Sequence, residues 1–285
     1  MKIARVFPTR TSYSPTDADA YFAAPTWFTP KYDEVHVSCV FTWDKKKAEA
    51  LARDWKKHAK KVLLGGPAYN SPVREFVAGM YVRQGITFAT RGCPNKCGFC
   101  RVPELEGDFR ELPITAGNIV QDNNILAASD PHWARLMQML KTQKGITFKG
   151  GLECRRLTDA RIADLRQLRI KELWLACDYR AALPACLDAI SRLMAAGYKR
   201  DHLHVYTMIG KDMQEELARM QAIFRAGALT FAQLYQPPAD KKKVYSKDWT
   251  RLQNIWQRPA KQKAVMDAFK NKSMKPRKDQ ALLWE

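Results

Sequence analysis

The sequence predicts an α/β protein built around a partial, TIM-like (β/α)6 barrel, with a small α/β unit before it and a basic helical extension after it. Three observations carry this. Apolar, β-rich runs recur at 86–90, 116–120, 146–149, 172–176, 203–208 and 229–234, and amphipathic helical stripes fill the gaps between them. The composition, 46% apolar and 11% aromatic over 285 residues, gives a globular core and excludes a disordered polymer. Alternation of this kind demands parallel pairing and right-handed crossovers, so the C-terminal strand ends share one mouth. An open doubly wound sheet has the same pattern and stays as the alternative.

In chain order, residues 1–80 read as a Rossmann-like α/β unit. Ile3 to Phe7 and Val35 to Phe41 are its first strands, the second a continuous apolar run of the kind buried on both faces. A helix follows, with Ala48, Leu51, Ala52 and Trp55 at i, i+3, i+4 and i+7, and Val62-Leu63-Leu64 before Gly65-Gly66 is the next strand and its turn. Residues 81–236 form the barrel. Its helical stripes are Trp133, Leu136, Met137 and Leu140, then Leu183, Cys186, Leu187, Ile190 and Met194, then Met213, Leu217, Met220 and Phe224. Residues 237–285 form a basic extension, with a docked helix around Trp249, Leu252, Ile255 and Trp256 and a loose Lys-rich tail at 271–280.

The formal charge is +19, with 48 Lys and Arg against 29 Asp and Glu, and residues 241–285 alone carry 13 basic against 4 acidic groups. Such a field draws anionic partners, so a nucleotide-like or other small anionic substrate is expected, and nucleic acid is a second candidate partner. No run approaches the ~18 uncharged residues of a membrane span. A soluble, cytoplasmic protein without a membrane partner is expected. The seven cysteines are odd in number, and three crowd into eight positions, which is no disulfide framework. The other four, Cys39, Cys154, Cys177 and Cys186, stand alone in apolar stretches.

The informative segment is Thr90-Arg91-Gly92-Cys93-Pro94-Asn95-Lys96-Cys97-Gly98-Phe99-Cys100-Arg101, a C-x3-C-x2-C triplet directly after the strand beginning at Ile86. Three thiolates suit zinc or an iron–sulfur cluster; Gly92 and Gly98 allow close backbone approach, and Arg91, Lys96 and Arg101 favour the thiolate form. Structural zinc wants four ligands in two close pairs, and the sequence has no second pair. Three ligands leave one coordination position open.

This loop resembles that of the radical S-adenosylmethionine (SAM) superfamily, with Cys93, Cys97, Phe99 and Cys100 matching position for position. The resemblance implies that the three cysteines bind three irons of a [4Fe–4S] cluster, while the fourth iron holds SAM by its amino and carboxylate groups. It further implies an external one-electron reductant, such as a flavodoxin or ferredoxin, and reductive cleavage of SAM to a 5′-deoxyadenosyl radical that abstracts hydrogen from a substrate. Arg91 to Asn95, with Arg101-Val102-Pro103, looks like the subgroup whose radical domain follows a cobalamin-binding Rossmann domain. No D-x-H-x-x-G stands in residues 1–80, and His36, inside an apolar strand, reads as a satisfied core histidine. Cobalamin is therefore not predicted.

Further candidates cluster where strands end. Gly150-Gly151-Leu152-Glu153 after the third barrel strand is similar to the family's Gly-Gly-Glu element, which implies that Gly150, Gly151 and Glu153 bind the SAM amino group; a tight turn with a solvated Glu153 is the alternative. Arg155, or Arg156, suits the SAM carboxylate. Asn123 and Asn124, after the second strand, offer donors and acceptors to ribose or substrate, and Asp178 and Tyr206 stand at the ends of later strands. Cys177 reads as a small buried residue, with thiol hydrogen donation as its rival role. Two other functions fit the same residues: a metal-stapled nucleic-acid-binding module, and a radical SAM methyl- or methylthiotransferase acting on RNA, although the sequence has no further cysteine triplet for a second cluster.

Overall fold

A computed structural model describes residues 1–71, 76–237 and 239–270, and the expected tail at 271–280 lies outside them. The chain divides into two compact units: residues 1–123 with 237–243, and residues 124–236 with 244–285. This division differs from segments 1–80, 81–236 and 237–285, because the first two expected barrel strands cluster with the N-terminal residues.

In the first unit a four-stranded parallel sheet runs in the order β2-β1-β3-β4, from β1 (Ile3–Val6), β2 (Ala20–Tyr21), β3 (Tyr32–Ser38) and β4 (Ala59–Gly65). The helix α1 (Lys45–Asp54) ends one residue before Trp55, the last position of the expected apolar stripe, which opens a 3-10 turn and is fully buried. Ala4, Val6, Val35, Val37, Ala48, Leu51 and Trp55 form the core, as the apolar spacing required. The parallel pair β5 (Ile86–Thr87) and β8 (Ile119–Val120) belongs here too. Both are two residues long, shorter than the runs at 86–90 and 116–120. Between them β6 (Thr90–Arg91) pairs antiparallel with β7 (Arg110–Glu111), enclosing the short helix α2 (Val102–Glu106).

The second unit is a parallel array, β9 (Ile146–Leu152), β10 (Ile170–Ala176), β11 (Leu203–Ile209) and β12 (Leu229–Leu234), each paired with the next. Its helices are α3 (Asp130–Lys141), α4 (Asp159–Arg166), α5 (Leu183–Ala195), α6 (Met213–Ala226), α7 (Lys247–Trp256) and α8 (Pro259–Lys270). Ser129, Thr158, Asp212 and Ser246 cap four of them through side-chain oxygens, each satisfying an orphan N–H of the first turn. The predicted stripe of α3 faces the core, with Trp133, Leu136, Met137 and Leu140 all buried, whereas on α5 Leu193 is buried and the expected Met194 is exposed. The unexpected element is α8. Its Gln262 is fully buried, accepting from Thr230 N (3.0 Å) and donating to Thr230 O (2.8 Å) and Trp256 O (3.0 Å), so one amide side chain completes the outer edge of β12.

Expected strands and helices thus yield an α/β fold with parallel sheets. Among the described residues no helix is long and apolar enough to cross a membrane.

Candidate functional site

In the first unit, the cysteine loop is fixed at its start by Asp122. Its buried carboxylate accepts from both the backbone N–H and the hydroxyl of Thr90 (Oγ1 to Oδ1, 2.7 Å), tying the end of β8 to the residue that opens the loop. Burial outweighs those bonds and raises the Asp122 carboxyl from its ordinary 3.8 to about 6. Asp122 directly precedes Asn123 and Asn124, the residues expected to meet ribose or substrate. Asn123 keeps its side-chain carbonyl buried without a hydrogen-bond partner.

Gly92 follows, with φ +73°, and a Cβ there would lie 2.5 Å from the Asp108 carbonyl oxygen. Only glycine fits both demands. Gly92→Ala is expected to cost at least ~1–2 kcal/mol from the left-handed conformation alone, and more from the backbone collision, read as a lowered thermal midpoint together with loss of iron uptake.

The three loop thiols, Cys93, Cys97 and Cys100, are half-exposed, whereas the other four cysteines are buried. Cys97 and Cys100 share a tight turn (Cys100 N to Cys97 O, 2.9 Å), and the Val102 N–H donates to Cys100 Sγ at 3.5 Å. Phe99 between them is half-buried. The expected halo of positive charge is largely engaged. Arg91 pairs with Glu106 (3.0 Å) and covers the Phe88 ring at 3.8 Å, and Arg101 pairs with Glu104 (3.3 Å). Among the described residues no group of three or more His, Cys, Asp or Glu side chains is placed to hold a single metal ion. A cubane takes each thiolate on a different iron and asks for separated sulfurs, reachable from one loop, with backbone N–H groups directed at them. The donor set fits that group.

In the second unit, Gly150 and Gly151 lie within β9 rather than in a turn. The register against β10 slips there, with Phe148 opposite Leu173 and Leu152 opposite Leu175, so β9 carries two extra residues, and Gly151 takes φ +85°. The double glycine is a bulge that re-aims the strand end toward Glu153. Glu153 accepts from Asn124 Nδ2 (2.7 Å), Arg155 (2.6 Å) and Arg156 (3.2 Å). Asn124, Glu153 and Arg155 thus stand together, with both arginines bound to Glu153 itself. Tyr206 stands 3.7 Å from where a Cβ on Gly151 would be and donates its hydroxyl to Lys149 O (3.1 Å). Its ring belongs to an aromatic face with Trp174, His204 and Phe231. Lys149 sits 3.9 Å above the Trp174 ring and pairs with Glu172. Burial lowers the His204 imidazole below its usual value.

Asp178 is taken up by structure: half-buried, with its carboxyl raised by desolvation, it accepts from Met208 N at 3.0 Å. The nearby Arg219, 2% exposed, donates to Cys177 O (2.7 Å) and Met208 O (3.0 Å). Sequence reasoning missed it, although an arginine at helical spacing between Glu216 and Ile223, both buried, is the signal. Cys154, Cys177 and Cys186 do not stand alone as expected. Cys186 on α5 hydrogen-bonds both others, and those contacts, to Cys154 first, raise its thiol far above the usual range. They are packing thiols, and Cys177 is fully buried. In the first unit His36 is satisfied by Tyr81 (2.7 Å) and Glu34 (2.9 Å).

No family model and no curated protein matches the chain. Among solved structures it is similar to the radical S-adenosylmethionine methyltransferase TsrM from Kitasatospora setae, with cobalamin and [4Fe–4S] cluster bound, with a TM-score of 0.58 at 11% identity over 82% of this chain and 75% of that one. At that identity the likeness is one of architecture, and the chain has a fold similar to that of a radical SAM methyltransferase.

Proposed function

We propose that the chain is a radical SAM enzyme with a partial barrel, in which Cys93, Cys97 and Cys100 hold a [4Fe–4S] cluster and SAM is the co-substrate. The observation that carries this is the coincidence of the C-x3-C-x2-C loop, with Phe99 before its last cysteine, and a fold similar to a radical SAM methyltransferase. Held by these three cysteines, the cluster would supply one-electron reduction of SAM, with cleavage to methionine and a 5′-deoxyadenosyl radical able to abstract hydrogen.

The chain's own residues do the positioning. Asp122 and Gly92 fix where the loop leaves the sheet. The Val102 N–H stabilises negative charge on Cys100 Sγ. Glu153 offers a carboxylate to the SAM ammonium, held in place by Asn124. Arg155, the more exposed of the two arginines on Glu153, would pair with the SAM carboxylate. Tyr206 and its aromatic neighbours offer a surface to the adenine or substrate. The net charge favours an anionic substrate.

Protein reconstituted anaerobically is expected to carry about four iron and four sulfide per chain and to release 5′-deoxyadenosine from SAM on addition of dithionite. Cys97→Ala is expected to lose both. Colourless wild-type protein that leaves SAM intact overturns the assignment. Methyl transfer is the second reading, favoured by the neighbour being a methyltransferase. His36 is held by Glu34 and Tyr81, so it offers no cobalt ligand as it stands. Cobalamin co-purifying with the chain, read from its visible absorbance, selects that reading.

A further inference from the structure

The loop between β2 and β3 ends in two adjacent aromatic rings that touch nothing. Trp27 is 100% exposed and Phe28 96%. They occupy the two corners of a turn closed by Thr29 N to Thr26 O (3.0 Å) and by Thr26 N to Thr29 Oγ1 (2.8 Å). The turn is itself anchored: Trp55 Nε1 donates to Ala23 O at 3.1 Å, and the Lys31 ammonium donates to Lys57 O. This is a braced knob. Burying one such ring is worth ~2 kcal/mol or more, so a braced pair held wholly in water marks an interaction surface rather than a chance feature.

We infer that Trp27 and Phe28 insert into the headgroup boundary of an anionic bilayer, with Lys31, Lys56 and Lys57 contacting the lipid phosphates behind them. Two features favour a bilayer over nucleic acid or a protein groove. A base-stacking platform rests one ring face on the protein and leaves the other free, whereas here no face of either ring is covered. The charges are also layered. No charged residue occurs from Ala20 to Pro30, and the exposed cations Lys31, Lys56 and Lys57 sit together at the base of the loop. An uncharged tip ahead of a cationic collar matches the order of depths in a membrane interface, apolar boundary first and anionic headgroups behind. Such a contact needs no spanning segment, and it is independent of the chemistry proposed for the cysteine loop.

The full chain should be sedimented with phosphatidylcholine vesicles, with and without about 30% phosphatidylglycerol, a fraction chosen to give an anionic surface. Wild type is expected to bind the anionic vesicles at least tenfold more tightly than the neutral ones. The double variants W27A/F28A and K56Q/K57Q, which leave the Lys31 anchor in place, are each expected to lose tenfold or more, with unchanged thermal midpoints because the substituted side chains are exposed. Lipids brominated along the acyl chain should quench tryptophan fluorescence in wild type, and Trp27→Phe should remove most of that quenching while still binding. Three results overturn the inference: wild type staying in the supernatant with anionic vesicles; W27A/F28A binding them as wild type does; or W27A/F28A changing only the sedimenting mass without lipid, or only the affinity for a short oligothymidylate, which would assign the knob to a second copy or to nucleic acid.

Discussion

Replacing Arg219 by methionine is expected to lower the stability of the second unit by about 3–5 kcal/mol, the cost of removing one member of a buried polar network. The guanidinium is almost wholly enclosed. It donates to the carbonyls of Cys177 and Met208 and stands 3.4 Å from Glu215. Met208 is held from both sides, since its N–H donates to Asp178 while its carbonyl takes Arg219. With methionine, the apolar bulk is retained, but two buried carbonyls lose their donor and Asp178 loses the charge that lowers its carboxyl. Urea unfolding followed by far-UV circular dichroism measures the difference. A loss below ~1 kcal/mol would mean that water replaces the guanidinium and that the network is not what holds these strand ends. Arg219→Lys is expected to recover only part of the loss, because a point ammonium cannot reach both carbonyls as the fork does.

How far such residues are legible in the sequence depends on what kind of pattern they obey. The strands and helices of the second unit follow periodicity, and β12 begins and ends at Leu229 and Leu234, as its apolar run does. β5 and β8 fall short of their runs because pattern reports burial, not pairing: Phe88 and Ala89 are buried yet lie outside the ladder. α8 was missed because it follows α7 across Arg258-Pro259 inside a basic stretch, and its docking depends on Gln262, a polar residue that no hydrophobic template registers. The cysteine loop is legible because its chemistry is local, three thiols within eight positions. Contacts that join distant positions are not. Asp122 to Thr90 spans 32 residues, and Arg219 to Cys177 spans 42. The glycine pair lies between these cases. Its residues are visible, yet whether they make a turn or a bulge is decided by the register of the neighbouring strand.

The second large effect belongs to Asp122 and carries a pH signature. Its carboxyl is raised to about 6 in the folded chain, mainly by burial, against an ordinary value of 3.8. Between those values the native state holds a proton that the unfolded chain has released, so stability falls as pH rises through that window and levels off above it. A shift of about two units corresponds to roughly 3 kcal/mol. Asp122→Asn keeps an acceptor for the Thr90 N–H and hydroxyl and has nothing to titrate, so its stability is expected to stay flat where that of the wild type falls. The two proteins should differ most in slope near pH 5. Asp122→Ala instead strips Thr90 of both partners and is expected to cost roughly 2–4 kcal/mol at every pH, with iron uptake falling as the loop loses its fixed start. Denaturant midpoints measured from pH 4 to pH 7 decide the matter. Parallel profiles for wild type and Asp122→Asn would show that Asp122 does not titrate in this range and that its burial does not control the stability of the cysteine loop.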